Sequence, residues 1–426
     1  MHHPAKDAGK KIVVIVGGGF AGLNAAKTLA GNPAVFVVLV DQRNHHLFQP
    51  LLYQVATAGL NPGDIAVPIR AQFPNVDNVE VHWDKAMAVN LEKKKIQFRE
   101  NELEYDFLIL ACGAQHSYFG RNDWEKVAPG LKTLEQATEI RRRILSAFEN
   151  AENELDVEKQ KSFLNFVVVG GGPTGVELAG AIADISRTVL VGDFKRINPS
   201  SARIILIEAG NKILASFADD LAHRSVEDLT QMGVEVKTGS RVTAINEDGV
   251  QVGEQFIAAK TVIWAAGVEA AKMDFTPALN LDRAGRVPVS ADLSVASFPD
   301  TFVVGDMAAV EIEKEKFVPG LAPAAIQEGK HAAEIILASI KNQPRKIFIY
   351  HDKGQMATIG KHKAIVQLGK LHMTGYPAWL SWLFVHIFYL IGFRNRVLVL
   401  SEWAWNYLFS KRGSRLIVEK QWQIKS

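Results

Sequence analysis

Cysteine is almost absent from this 426-residue sequence, and the single thiol, Cys112, excludes an internal disulfide, a CxxC redox pair and a multi-cysteine metal site. It reads as a small buried hydrophobe. A net charge is also missing: 48 Lys plus Arg against 46 Asp plus Glu leave +2, which gives no global field for nucleic acid or a polyanion. The adjacent His45 and His46 have no third or fourth ligand at a recognisable spacing, so no metal site is expected. Low-complexity tracts are lacking, and 48% hydrophobic residues supply ample apolar surface to bury. No run of roughly 18 uncharged apolar residues precedes residue 375, so the bulk of the chain should be water-soluble. Lys6, Lys10 and Lys11 precede an apolar stretch, but no cleavage site follows and no secretory signal is expected. The length suggests two or three domains at about 150 residues each.

What is present begins with the run KIVVIV, Lys11 to Val16, a β-branched block suited to a buried parallel strand. It leads into Gly17-Gly18-Gly19-Phe20-Ala21-Gly22 and a helix-like alanine-rich segment. In such a GxGxxG turn Gly17 permits the tight bend, Gly19 lets backbone approach a pyrophosphate, and Gly22 lets helix and strand pack closely. The helix N-terminus, with Phe20 and Ala21 in its first turn, offers amide donors to phosphate. A second strand, VFVVLV, ends in Asp41, 19 residues past Gly22, where a carboxylate can accept ribose hydroxyls. The spacing predicts a dinucleotide-binding fold.

The pattern recurs 153 residues later as FLNFVVVG, Gly170-Gly171-Gly172-Pro173-Thr174-Gly175 and VELAGAIADI. A later strand, RIILIE, ends in Glu208, 33 residues past Gly175 where about 20 is usual, so its role at a ribose is less secure than that of Asp41. If Glu208 holds the ribose, its charge disfavours a 2′-phosphate and selects NADH over NADPH. Two dinucleotide folds fit a tightly held flavin, FAD, beside an exchangeable nicotinamide. YDFLILACGA contributes a strand ending in a small-residue turn that includes Ala111 and Gly113, and KTVIWAAGV repeats that shape with Ala266 and Gly267. TFVVGDM places Asp306 at a strand end, where a carboxylate could accept from a flavin ribityl hydroxyl.

Residues 11 to 340 resemble the two-dinucleotide-binding flavoproteins, and within them the chain is most similar to the type II NADH dehydrogenases. The blocks that carry this are NHHLFQPLLYQVATAGLNP (Asn44 to Pro62), GGGPTGVELAG, VPGLAPAAIQEGKHAA (Val318 to Ala333), DKGQMATIGKHKAI (Asp352 to Ile365) and GFRNR (Gly392 to Arg396). The resemblance implies an α/β fold with an NADH domain inserted in an FAD domain. The FAD domain would occupy 1–120 and 291–340, the NADH domain with its linker 121–290, and a C-terminal membrane-attachment domain 341–426. It further implies Gln49 and Pro50 near the flavin ring, and Leu321 and Ala322 presenting a helix N-terminus to its pyrimidine edge. Glu177 would point beside the flavin and interact with Lys353, and Gln327 would line a quinone pocket. Pro323 stands where many members have glutamine. Taken from the residues alone, Glu177 has an alternative reading as a first-turn carboxylate stabilised by the helix dipole, and Lys353 as an exposed turn residue.

From Tyr376 to Ser410, 11 of 35 residues are aromatic, including Trp379, Trp382, Trp403 and Trp405. The uncharged stretch 379–393 would form a helix only about 22 Å long against a hydrocarbon core of about 30 Å. With Arg394, Arg396, Lys411, Arg412 and Arg415 following the two apolar segments, the expectation is a helical pair lying in one leaflet, tryptophans at headgroup level and arginines on anionic lipid. A buried hairpin or a dimer interface would show the same apolar surface. The implied activity is hydride transfer from NADH to FAD and two electrons onward to a membrane quinone, without proton pumping, on the cytoplasmic side of the inner membrane. Two other readings are a reductase of a soluble electron carrier and a non-catalytic nucleotide-sensing protein. A sulfide:quinone oxidoreductase would need paired cysteines.

Overall fold

The computed structural model describes residues 9–409 and 413–418. Lys6, Lys411 and Arg412 lie outside them. The chain forms two compact units: one takes the residues up to Leu47, Ala66–Gln115 and Val268–Lys353, and the other Phe48–Ile65, His116–Gly267 and Gly354 onward.

The first unit is built on a sheet whose apolar runs are covered on both faces. Lys11–Val16 pairs in parallel with Val35–Asp41 on one side and Phe107–Leu110 on the other. The full order is Val79–Trp83, Val35–Asp41, Lys11–Val16, Phe107–Leu110, Phe298–Val303, Ser294–Val295. Every residue from Ile12 to Val16 and from Val35 to Val40 is buried, and each such valine, leucine or isoleucine contributes about 1.5–3 kcal/mol. Strand order reverses between Lys11–Val16 and Phe107–Leu110, which opens a crevice at their carboxyl ends. The helices Phe20–Leu29 and Ala322–Ile340 cross closely where Gly329 meets the Ala21 carbonyl.

The second unit repeats this design. Its sheet runs Val234–Lys237, Arg203–Ile207, Asn165–Val169, Thr261–Trp264, all parallel, with the reversal again beside the strand that enters a glycine fingerprint. The helix Pro173–Asp184 passes so near the strand Gln355–Gly360 that a Cβ on Gly180 would lie 1.7 Å from the Ile359 carbonyl oxygen. That strand opens a three-stranded antiparallel sheet, which the helices Gly375–Tyr389 and Phe393–Phe409 follow.

These helices correct part of the sequence expectation. Trp379, Trp382 and Trp403 are buried, at 5%, 1% and 4% exposure, and only Trp405 faces outward, at 54%. For Trp382 and Trp403 the physical reason is docking on the segment Phe48–Ile65: Trp382 packs edge-on against Tyr53, and the Trp403 indole N–H donates to Gln54 Oε1 at 2.7 Å, while Trp379 packs among His362, Tyr376 and Tyr407. The exposed face carries Tyr376, Leu380, Phe384 and Phe388 at four-residue spacing on the first helix, and Phe393, Val397, Leu400 and Leu408 on the second. Arg396 is not a free headgroup ligand either. Its guanidinium donates to the carbonyls of Leu390 (2.7 Å) and Phe388 (2.9 Å), closing the end of the first helix. Arg415 pairs with Asp193. Among the described residues no helix is long and apolar enough to cross a membrane.

Candidate active site

In the first unit, the strand Lys11–Val16 delivers Gly17 in the left-handed region (φ +104°), with its Cα so near Ala111 that a Cβ would fall 2.3 Å from the Ala111 oxygen. A Cβ on Gly22 would strike the Gly17 carbonyl, whereas one on Gly19 would meet nothing within 4 Å. Open space above Gly19, at the start of the helix Phe20–Leu29, is the cradle a pyrophosphate needs. Phe20 and Ala21 form the first turn of that helix. Asp41 ends the second strand and accepts the Gly18 amide at 2.6 Å and the Arg43 amide at 2.7 Å. Burial raises its carboxyl, and these two amides with the Arg43 charge pull it back. Gly113 follows Ala111 with φ +70°, and Asp306 lies in the short turn Gly305–Met307 after Phe298–Val303. Leu321 is the N-cap of Ala322–Ile340, so Ala322 opens that helix.

The second unit superimposes the same chemistry on a different sequence. Gly170 is left-handed (φ +112°), against Ala265 and Ala266; Gly172 is open; Gly175 meets the Gly170 carbonyl. Pro173 and Thr174 start the helix. Glu208 Oε2 accepts the Gly171 amide at 2.6 Å and Oε1 the Gly210 amide at 2.6 Å. This is the geometry of Asp41 at Gly18, despite the long spacing. The extra residues are a π-helical turn at Ile185–Val189 and a loop closed by Pro199–Ser201, inserted before the strand. Gly267 (φ +72°) ends the Thr261–Trp264 turn against the Phe119 ring. Gln49 and Pro50 form the short turn Gln49–Leu51 of this unit.

Glu177, two residues past Gly175, is the most perturbed acid of the second unit. Burial pushes its carboxyl up to about 8, opposed only by a hydrogen bond from the Thr358 amide. It borders a cavity of about 80 Å³, room for a few waters, whose walls include Asp184, Lys361, Tyr53, Trp403 and Asn406. Asp184 lies on the same face of the helix, seven residues on, a spacing that could have been read from the sequence. Lys361 carries no such signal: its amide donates to Asp184 and its ammonium to the Tyr407 carbonyl at 3.0 Å. Lys353 is exposed and belongs to the first unit.

Gln327 is engaged more heavily than its sequence position suggested. Its amide exchanges two 3.0 Å hydrogen bonds with the His351 backbone and gives a third to the Pro323 carbonyl, so it fixes the segment that leads to Lys353. Its neighbour Glu328, which sequence reasoning missed, accepts the Gly305 amide; burial pushes its carboxyl up to about 8, and the Asp306 charge adds to this. Burial likewise drives the Cys112 thiol up to about 12, against the thiolate form. Among the described residues no group of three or more His, Cys, Asp or Glu side chains could hold a metal ion.

Residues 11–329 match the pyridine nucleotide-disulphide oxidoreductase family, and residues 352–412 match the NDH2 C-terminal domain. The type II NADH:quinone oxidoreductase Ndh of Mycobacterium tuberculosis is 41% identical, with 96% of this chain and 90% of the relative covered. The chain belongs to the type II NADH:quinone oxidoreductases. A second such enzyme of that organism, NdhA, is 40% identical over 98% of this chain and 91% of its own. The structure of NDH2 from Plasmodium falciparum in complex with NADH has the same fold, with a TM-score of 0.87 at 21% identity over 96% of this chain and 100% of that one. As a member of the type II family the protein is an FAD-dependent oxidoreductase that oxidises NADH and reduces quinone.

Proposed function

We propose that FAD occupies the Gly17–Gly22 loop, with Asp41 at its ribose and Ala111, Gly113, Asp306, Leu321 and Ala322 along the rest of its length. NADH takes the Gly170–Gly175 loop, with Glu208 at the adenosine ribose. The negative Glu208 carboxylate disfavours a 2′-phosphate, so NADH is selected over NADPH. FAD, when bound, supplies a two-electron carrier that accepts hydride from NADH and passes the electrons to a quinone. The protein contributes position and protons.

The observation that carries the reading is Glu177: a carboxyl held protonated near neutral pH by burial, on a cavity that admits water. Such a group can give a proton to a quinone oxygen and regain one from the cavity. Gln327 orders the segment that bears Lys353. Nothing in this scheme moves charge across a bilayer, so the enzyme does not pump protons. The exposed apolar stripes of the two C-terminal helices lie in one leaflet on the cytoplasmic side of the inner membrane, where the quinone is dissolved. A homodimer through neighbouring surface is compatible with that placement.

The test is anaerobic stopped-flow absorbance in two mixing steps, NADH first and a soluble quinone second. Rapid bleaching of the yellow band and rapid recovery are expected. In Glu177→Gln the recovery should slow by about 10²-fold while bleaching keeps its rate. Equal slowing of both steps, or of neither, removes Glu177 from this role.

A further inference from the structure

In both units the residue between the first two fingerprint glycines, Gly18 or Gly171, is gripped at both its amide and its carbonyl, but by different means. In the second unit, the Gly171 amide goes to Glu208 and the Gly171 carbonyl accepts the backbone amide of Leu214 at 2.7 Å. Leu214 is held in the left-handed region (φ +51°), six residues past Glu208, to bring that amide round. In the first unit the Gly18 amide goes to Asp41, and the Gly18 carbonyl is met by a side chain: His46 Nδ1 lies 2.9 Å away, five residues past Asp41. None of His45, His46 and Leu47 is left-handed there, and the strand His45–Leu47 is instead paired with Ala66–Pro68.

A carbonyl oxygen can only accept, so Nδ1 must carry the hydrogen. The other ring nitrogen, Nε2, is buried without a hydrogen-bond partner, and the ring is 1% exposed, edge-on to Phe20 in the first turn of the fingerprint helix. A proton on Nε2 would be a buried, unpaired charge beside Lys27, which is why the ring stays neutral, pushed down to about 4 by burial. One tautomer and one charge state are therefore enforced by the surroundings.

We propose that His46 is a positioning residue of the FAD loop: its neutral, Nδ1-protonated ring replaces the backbone amide of the second unit, clamps the Gly18 carbonyl and so sets the amides that receive the pyrophosphate. This rests on the placement of FAD at the Gly17–Gly22 loop. Because the clamp on the Gly18 carbonyl is a side chain, one substitution removes it, whereas the Leu214 amide that holds the Gly171 carbonyl is backbone. Tight retention of FAD depends on His46; exchange of NADH at the other loop does not.

The test uses the full-length enzyme and measures FAD release by ultrafiltration beside NAD⁺ binding by calorimetry. His46→Phe keeps the ring against Phe20 and removes the donor, and should raise the FAD dissociation constant about tenfold or more. NAD⁺ affinity should be unchanged. His46→Asn, whose amide N–H can stand where Nδ1–H stood, should recover most of the loss, which a purely space-filling role would not. Unchanged FAD retention in His46→Phe overturns the proposal. Weakened NAD⁺ binding with FAD retained would instead overturn the placement of FAD at this loop. Should the variants not fold, nitrogen-15 spectra of the wild-type imidazole decide the matter: a proton found on Nε2 rather than Nδ1 overturns the proposal.

Discussion

The two fingerprint loops share a strand order, a left-handed first glycine and an acid on the amide of Gly18 or Gly171, and differ in what stands two residues past Gly22 or Gly175. In the first unit that residue is Asn24, whose side chain turns back to the Phe20 carbonyl at 2.8 Å and completes the helix surface. In the second it is Glu177, half-buried on a cavity with room for a few waters. One repeat has spent this position on holding its own helix, the other on a group that can exchange protons. The fold is thus duplicated and the chemistry is not, as expected when function resides in sites placed on a common architecture.

The sharpest way to break the equivalence is at the first glycines. Gly17→Ala puts a methyl into the Ala111 carbonyl and an alanine at φ +104°, so the protein should be purified without its yellow colour. Gly170→Ala should leave the colour and raise the KM for NADH by about 10²-fold or more. The reverse pattern, colour lost with Gly170, would exchange the two cofactor assignments.

A smaller effect separates Asn24 from Glu177 by pH. With Glu177 as the proposed proton donor to quinone, the rate of quinone reduction should fall as pH rises through about 8, and Glu177→Gln should flatten that limb while Asn24→Ala leaves it in place. Stability follows the same group. The folded carboxyl holds its proton to higher pH than the unfolded one, so its contribution is fully present below the unfolded value of 4.5 and is lost as pH rises toward 8. Thermal melts of Glu177→Gln should lack this decline. The least effect is expected at the ribose acids: Glu208→Gln should narrow the preference for NADH over NADPH by about tenfold, read from the kcat/KM ratio, with little change in flavin content.

Much of this was legible in the sequence because it depends on local pattern. Two β-branched runs, each entering GxGxxG, specify strand, turn and helix without reference to the rest of the chain. Glu208 shows where counting residues becomes insufficient: a π-helical turn and a loop lengthen the spacing without moving the acid from its glycine. The C-terminal tryptophans show a different limit. Composition reports that aromatics are concentrated there, but not which helix face they occupy: Trp382 and Trp403 face Tyr53 and Gln54, and Trp379 packs among His362, Tyr376 and Tyr407. His46 and Lys361 were illegible for a third reason: their partners are the Gly18 and Tyr407 carbonyls, and a carbonyl has no sequence signature.

The guanidinium of Arg396 has a consequence for how the C-terminal hairpin can meet an apolar phase. A helix end immersed in lipid leaves its last carbonyls bare, at a cost of several kcal/mol for each group. Here the first turn of the second helix supplies a cation that covers the carbonyls of Phe388 and Leu390 from within. On the proposed placement in one leaflet, the hairpin would sink its apolar stripe without drawing water down with it, to a depth set by greasy surface rather than by naked backbone.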